Sequence, residues 1–186
     1  MNITLVAERY ARALFDLALE KNLEDEVFHD SELIFQTCAK CKDLRLLLKS
    51  PIISTEKKQT ILREIFKHQV QDLTLIYLLI MARKKREMII SEVAFHLVEL
   101  YKVYKNILTV HFKSPLKPNT EIRQQVVKLM ANYSNMDIEL KEEIDASLVG
   151  GFILNWQDKQ YDASIRREID DMKNAMAKIN LYKKGF

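Results

Sequence analysis

The chain has 186 residues, 30% of them charged and 48% apolar, and its formal net charge is +3. That is ordinary for a soluble globular protein of one or two domains, and 17 basic against 15 acidic residues up to Lys105, then 12 against 11, make neither half a polyanion binder on charge alone. Two cysteines are too few for a disulfide framework, and Met1 leads into helical sequence without a signal or Arg-rich transit segment, which points to a reducing, intracellular setting.

Asn2 is placed to cap a helix running to about Lys21. Its apolar residues cover an arc of roughly 200°, wider than the ~100° stripe of a surface helix. Val6, Tyr10, Ala13 and Leu17 form one seam, and Ala7, Ala11, Leu14, Phe15 and Ala18 form its neighbour; Arg9, Arg12, Asp16 and Glu20 keep the far side wet. Either both seams pack inside one domain or one of them receives a partner helix. A second helix is expected from about Leu23 to Cys41, with Val27, Ser31, Ile34, Cys38 and Cys41 on one face. Cys38 and Cys41 have the C-x-x-C spacing, but no strand precedes them and no second Cys or Cys/His pair completes a zinc site, so they read as core residues.

Asp43 is placed to cap a short helix from Leu44 to Lys49, Ser50-Pro51 ends it, and Ser54 starts another that carries Ile61, Leu62, Ile65 and Phe66. The stretch Leu73 to Ala82 is apolar on nearly every side, yet its ten residues fall short of the roughly 20 a bilayer span needs, so it reads as a buried helix. Arg83-Lys84-Lys85-Arg86 ends it, favourably for the helix dipole, and reads as a solvated helix end. Val93, Leu97, Leu100, Tyr101 and Tyr104 mark one more long helix, which brings the first half to a bundle of six helices over residues 1–105.

At about Asn106 the apolar period changes from about 3.6 to about 2. Leu108, Val110 and Phe112 point one way and Thr109, His111 and Lys113 the other. A joint is therefore expected near Lys105 to Ile107, with a second domain over 106–186. Ser114 to Asn119 is a Pro-marked turn, the next helix carries Ile122, Val126, Leu129, Met130 and Tyr133, and Ile138, Leu140 and Ile144 alternate as a strand. Gly150 and Gly151, two of the three glycines in the chain, open an apolar run to Trp156 that polar turn residues follow, a strand and hairpin signal and not a phosphate loop. Ser164 is placed as an N-cap, and Ile165, Ile169, Met172, Met176 and Ile179 follow as one helical stripe. The second half reads β-α-β-β-α, and the fold class is α+β.

No carboxylate pair, Ser/His/Asp set, phosphate loop or ligand cluster points to an enzyme, a metal or a cofactor. Two other classes stay open on the residues alone: a C-x-x-C redox protein, which needs a low-pKa thiol, and a weak nucleic-acid-binding module acting through Arg83 to Arg86.

The run Leu148-Val149-Gly150-Gly151-Phe152-Ile153-Leu154, with Asp158-Lys159 and Asp162-Ala163-Ser164-Ile165-Arg166, resembles the signature of the δ/OSCP family of F-type ATP synthase subunits. Ala7 to Phe15 is similar to the family's opening helix, and Ser50-Pro51 with Lys57 to its middle. Gln157 and Ala163 depart from it, standing where the family often has Gly. The resemblance implies a six-helix domain holding the N-terminal helix of an α subunit between its first and fifth helices. It also implies a C-terminal module gripping the C-terminal region of the b subunits. The protein would be a non-catalytic stator adapter at the cytoplasmic face of the cell membrane, reaching the membrane only through the complex and binding no nucleic acid. The groove so implied would be lined by Val6, Tyr10, Ala13 and Leu17, whose small residue and wettable Tyr suit a boundary, with Ile76 and Ile80 as the other wall. Gly150, Gly151, Asp162 and Ser164 would be the structural signature.

Overall fold

A computed structural model describes residues 3–183; Asn2, expected to cap the first helix, lies outside them. The chain divides into two compact units, Met1–Lys105 and Asn106–Phe186. The first holds α1 (Ile3–Glu20), α2 (Glu24–Lys40), α3 (Lys42–Lys49), α4 (Thr55–Phe66), α5 (Asp72–Arg83), a short 3-10 turn (Glu87–Ile89) and α6 (Ile90–Tyr104). The core forms where α6 packs on α1 and α2. Ala7, Ala11, Leu14, Phe15 and Ala18 of α1 are buried there with Val27, Ile34 and Cys38 of α2 and Val93, Ala94 and Leu97 of α6. Three alanines on the α1 seam keep that face thin and let the neighbouring helix come close. Phe15 and Tyr104 meet edge to face at 5.6 Å, in the arrangement that ring quadrupoles favour.

Local chemistry sets the helix ends. Ser54 Oγ accepts from Lys57 N at 3.4 Å, so Ser54 caps α4 as expected. Asp43 does not cap α3: Cys41 stands at the N-cap with no side-chain bond, which leaves Asp43 inside the first turn as a charge facing the helix dipole. Cys41 is accordingly exposed at the junction of two helices and not in the core, while Cys38 is buried. Lys58 and Glu87 form a buried ion pair at 2.6 Å, and Lys58 Nζ also donates to the Leu48 carbonyl at 3.1 Å. One side chain thereby ties α3, α4 and the 3-10 turn, an element that the sequence pattern did not signal.

The second unit is a four-stranded sheet in the order β2-β1-β3-β4, made of β1 (Ile107–Ser114), β2 (Asp137–Ile144), β3 (Gly151–Trp156) and β4 (Lys159–Ser164), with α7 (Thr120–Ser134) and α8 (Ile165–Lys183). The Gly pair begins the expected hairpin of strand, turn and strand with its capped helix, and with the strand before it the element order among the described residues is β-α-β-β-β-α, one strand more than the expected count β-α-β-β-α. β1 runs parallel to β2 and antiparallel to β3, and β3 and β4 are antiparallel. The period of 2 in β1 appears as burial of Leu108, Val110 and Phe112, which join Val126 and Met130 of α7 and Leu154 of β3 in a second core. Ile122, Leu129 and Tyr133, expected on the same helical stripe, are exposed, because the small sheet covers only the Val126 and Met130 line of α7. Ile144 at the end of β2 is exposed as well.

Gly151 has φ +79°, and a Cβ placed there would meet the Ala163 carbonyl oxygen at 2.1 Å and Ser164 Cα at 2.8 Å. At Gly150 an added Cβ would meet only the movable tip of Ile165, at 2.5 Å. Gly151→Ala combines a forced left-handed backbone with a main-chain clash and should cost at least ~1–3 kcal/mol. The expected melting shift, read by circular dichroism, is on the order of 10 °C for a unit of this size, with a clearly smaller shift for Gly150→Ala. Gln157 also sits at positive φ, 48°, in the two-residue turn between β3 and β4. Gln157→Gly should therefore melt no lower than the parent chain.

Candidate functional site

The two seams of α1 have different fates. Ala7, Ala11, Leu14, Phe15 and Ala18 are buried, whereas Val6 and Tyr10 are only partly covered and Ala13 and Leu17 are exposed. On α5 the buried line is Thr74, Leu75, Leu78, Met81 and Ala82. Ile76 is 56% and Ile80 40% exposed. The helix expected to be buried all round thus turns an apolar face outward, because α4 and the core cover only one side of it. Leu73 and Tyr77 lie on that outer face at helical spacing with Ile76 and Ile80, partly buried against the core.

A hydrogen bond joins α5 to α1. The Tyr77 hydroxyl donates to the main-chain carbonyl of Tyr10 at 2.7 Å, so α5 is tied to the middle of α1 beside the uncovered seam. Burial, with the Tyr10 phenol close by, pushes the Tyr77 hydroxyl well above its ordinary pKa, and it stays protonated as a donor. Tyr10 of that seam is thus in contact with α5, while Ala13, Leu17, Ile76 and Ile80 are exposed and Val6 is partly covered. Sequence reasoning missed Tyr77 and Leu73, although their spacing of three and four from Ile80 and Tyr77 carried the signal.

Two further polar contacts place α5. Gln59 Nε2 of α4 donates to the Leu79 carbonyl at 2.9 Å. At the other end, Asp30 of α2 is buried, and its Oδ2 accepts from Gln71 N at 2.9 Å and from the Thr74 hydroxyl at 2.6 Å. Gln71 is the N-cap of α5 and gives no side-chain cap of its own, so a carboxylate from another helix does the capping. A lone Asp between Val27, Ser31 and Ile34 was the signal in the sequence.

In the second unit the stripe on α8 is uncovered: Ile165, Ile169, Met172 and Met176 are all exposed. Ile179, expected on the same stripe, has its side chain outside the described residues. Asp162 and Ser164 set the direction of this helix. Ser164 Oγ accepts from Arg167 N at 3.3 Å as its cap, and Asp162 Oδ1 accepts from Ser164 N at 2.8 Å. These bonds to Ser164 hold the Asp162 carboxyl below its usual pKa. The Gly150 carbonyl accepts from Ile165 N at 3.1 Å, so the glycine pair meets the start of the same helix.

The alternative chemistries find little here. Burial, with Glu92 nearby, pushes the Cys38 thiol up to about 11, the opposite of what a redox thiol needs. Arg83 to Arg86 close α5, with Lys85 in the left-handed region at φ 56°. Among the described residues no three His, Cys, Asp or Glu side chains are grouped to hold a metal ion.

A family model described as ATP synthase delta (OSCP) subunit matches residues 6–176. An ATP synthase subunit delta from Clostridium botulinum (strain Loch Maree / Type A3) is 32% identical over 170 residues, covering 91% of this chain and 95% of the relative. Another from Chloroherpeton thalassium is 30% identical over 176 residues, covering 95% and 96%. Among solved structures, a chain of the Toxoplasma gondii mitochondrial ATP synthase hexamer shares the fold at a TM-score of 0.72 and 21% identity, over 92% of this chain and 97% of that one.

The Asp30 cap has a pH signature. Burial raises its pKa above the ordinary 3.8 in spite of the Thr74 and Gln71 hydrogen bonds. The folded state then binds more protons than the unfolded state just above that value, so this group's contribution to stability falls as pH rises through the window between the two pKa values. Asp30→Asn removes the titration. The melting temperature of the variant relative to the parent should climb as pH is raised from about 3 to about 6, and a difference flat in pH would contradict the assignment.

Proposed function

The chain belongs to the ATP synthase delta (OSCP) subunit family, and from that premise we propose that the unit Met1–Lys105 holds the N-terminal helix of an α subunit while the unit Asn106–Phe186 grips the C-terminal region of the b subunits. Family membership makes it a structural, non-catalytic subunit of a rotary ATP synthase, a stator adapter between the catalytic head and the peripheral stalk. It is peripheral to the membrane sector; no described helix is long and apolar enough to cross a membrane. In this reading it meets the membrane indirectly, at the cytoplasmic face of the cell membrane.

The work of such an adapter is mechanical. It keeps the catalytic head from turning with the rotor, so that torque is spent on ATP synthesis. A tether of this kind needs slow dissociation under load, which comes from desolvated apolar contact more than from rim charges. Two separate attachment surfaces on one chain also raise the effective concentration of each at its partner.

The observation that supports the reading is the split of α1 into a buried seam and a partly covered one, on a helix that the Tyr77 hydroxyl ties to α5, where Ile76 and Ile80 are exposed. A face of this kind fits an amphipathic helix, whose apolar stripe would cover it. On the second unit the exposed Ile165, Ile169, Met172 and Met176 offer the corresponding surface for the b subunits, with methionines that adapt to a neighbouring helix.

Ala13 is exposed and Leu14 is 3% exposed, so neighbouring substitutions separate docking from folding. Ala13→Asp should abolish binding of a synthetic peptide from the N-terminus of the α subunit in calorimetry and leave the thermal melt within a few degrees, because the carboxylate is hydrated until a partner covers it. Leu14→Asp should chiefly unfold the first unit. Normal peptide binding by the Ala13→Asp chain would overturn the assignment of the seam. For the second surface, Ile169→Asp should lose a fragment from the C-terminal region of the b subunits in a pull-down at unchanged melting temperature, and retention of that fragment would remove the α8 stripe as its site.

A further inference from the structure

α5 is located by polar contacts at three points of its length: Asp30 at its first turn, Gln59 on Leu79, and its own Tyr77 on α1. Two of these join it to α2 and α4, on which the core also acts. The third is the one that crosses to α1, at Tyr10 of the partly covered seam, and like the Gln59 contact it ends on a main-chain carbonyl, whose position follows the helix axis and not a rotamer. A tyrosine ring is rigid, with two rotatable bonds, so a phenol hydroxyl held at 2.7 Å from that carbonyl fixes a distance between two helices as well as joining them.

We propose that Tyr77 is the positioning residue of the α1/α5 surface, a strut whose hydroxyl holds the two walls at the separation a partner helix requires before the partner arrives. The inference rests on the reading of that surface as the site for the α subunit. The gain is preorganisation: a free chain whose walls are already spaced loses less conformational freedom on docking. The hydroxyl suits the role because burial, and then the nearby Tyr10 phenol, keep it protonated and donating.

The test uses Tyr77→Phe, which keeps the ring and removes the donor, with Gln59→Ala as a control that removes a hydrogen bond to α5 on the side of α4. The first measurement needs no partner. Amide exchange in the free chain should speed up several-fold in α5 around Tyr77 and in the middle of α1 for Tyr77→Phe, with α6 unchanged, whereas Gln59→Ala should leave α1 unchanged. The second is calorimetry with a synthetic peptide carrying the N-terminal residues of the α subunit from the same genome. Tyr77→Phe should weaken binding about three- to tenfold at a melting temperature within a few degrees of the parent, a larger loss than for Gln59→Ala. Unchanged exchange in α1 and α5, or equal peptide affinities for Tyr77→Phe and parent, would overturn the strut. If the parent chain binds no peptide while exchange changes as described, the strut stands and the partner reading falls.

Discussion

The first unit depends on one packing constraint: α1 has more apolar surface than its own neighbours can cover. Its alanine seam lies against the core helices, where small side chains admit close approach and Leu14 and Phe15 fill the space at either side. Once that seam is committed, the neighbouring seam lies at the edge of the core: Val6 and Tyr10 pack partly against it, and Ala13 and Leu17 are exposed. The uncovered apolar surface is thus a product of correct folding and not a defect in it. α5, itself covered on one side only, is tied to α1 by the Tyr77 hydroxyl on the Tyr10 carbonyl.

What keeps α5 in place beside that region is largely polar. Asp30 supplies the cap that Gln71 lacks, Gln59 bonds the Leu79 carbonyl, and Lys58 with Glu87 binds the turn that follows the helix to α3 and α4. Each of these groups is wholly or partly removed from water, where an unmet partner is costly, so each favours a single arrangement over slipped alternatives. The net contribution of the ion pair to stability is small, because taking both charges out of water offsets much of their attraction. Glu87 Oε2 is left with no hydrogen-bond partner, a sign of how completely the turn closes over the pair.

In the second unit the corresponding constraint is steric. β3 and β4 approach so closely at Gly151 that any Cβ would strike the opposite main chain, and the same few residues end the hairpin and begin α8. Asp162 and Ser164 then fix the direction of α8 by bonding to backbone N–H groups. The apolar stripe of α8 leaves the sheet uncovered, as the second seam of α1 leaves the bundle. Docking at both, as proposed, would give the two surfaces a reason to exist, since it needs apolar area at two places that neither core buries.

Much of this was legible in the residues, because periodicity and capping are local. The six helices, the change of period at Asn106, the caps at Ser54 and Ser164, and the role of the Gly pair in a strand are each written within a few neighbouring positions. Local pattern misled where an end was decided elsewhere: Cys41 falls at a junction between helices, Asp43 inside a turn, and Ile122, Leu129 and Tyr133 beyond the edge of a small sheet. The sequence alone determined which residues of α1 and α5 are apolar and that α1 carries two seams. Which seam is buried, and that Tyr77 reaches the Tyr10 carbonyl while Asp30 reaches α5, only the tertiary structure decided, because these contacts join residues 41 to 67 positions apart whose meeting depends on how whole helices pack.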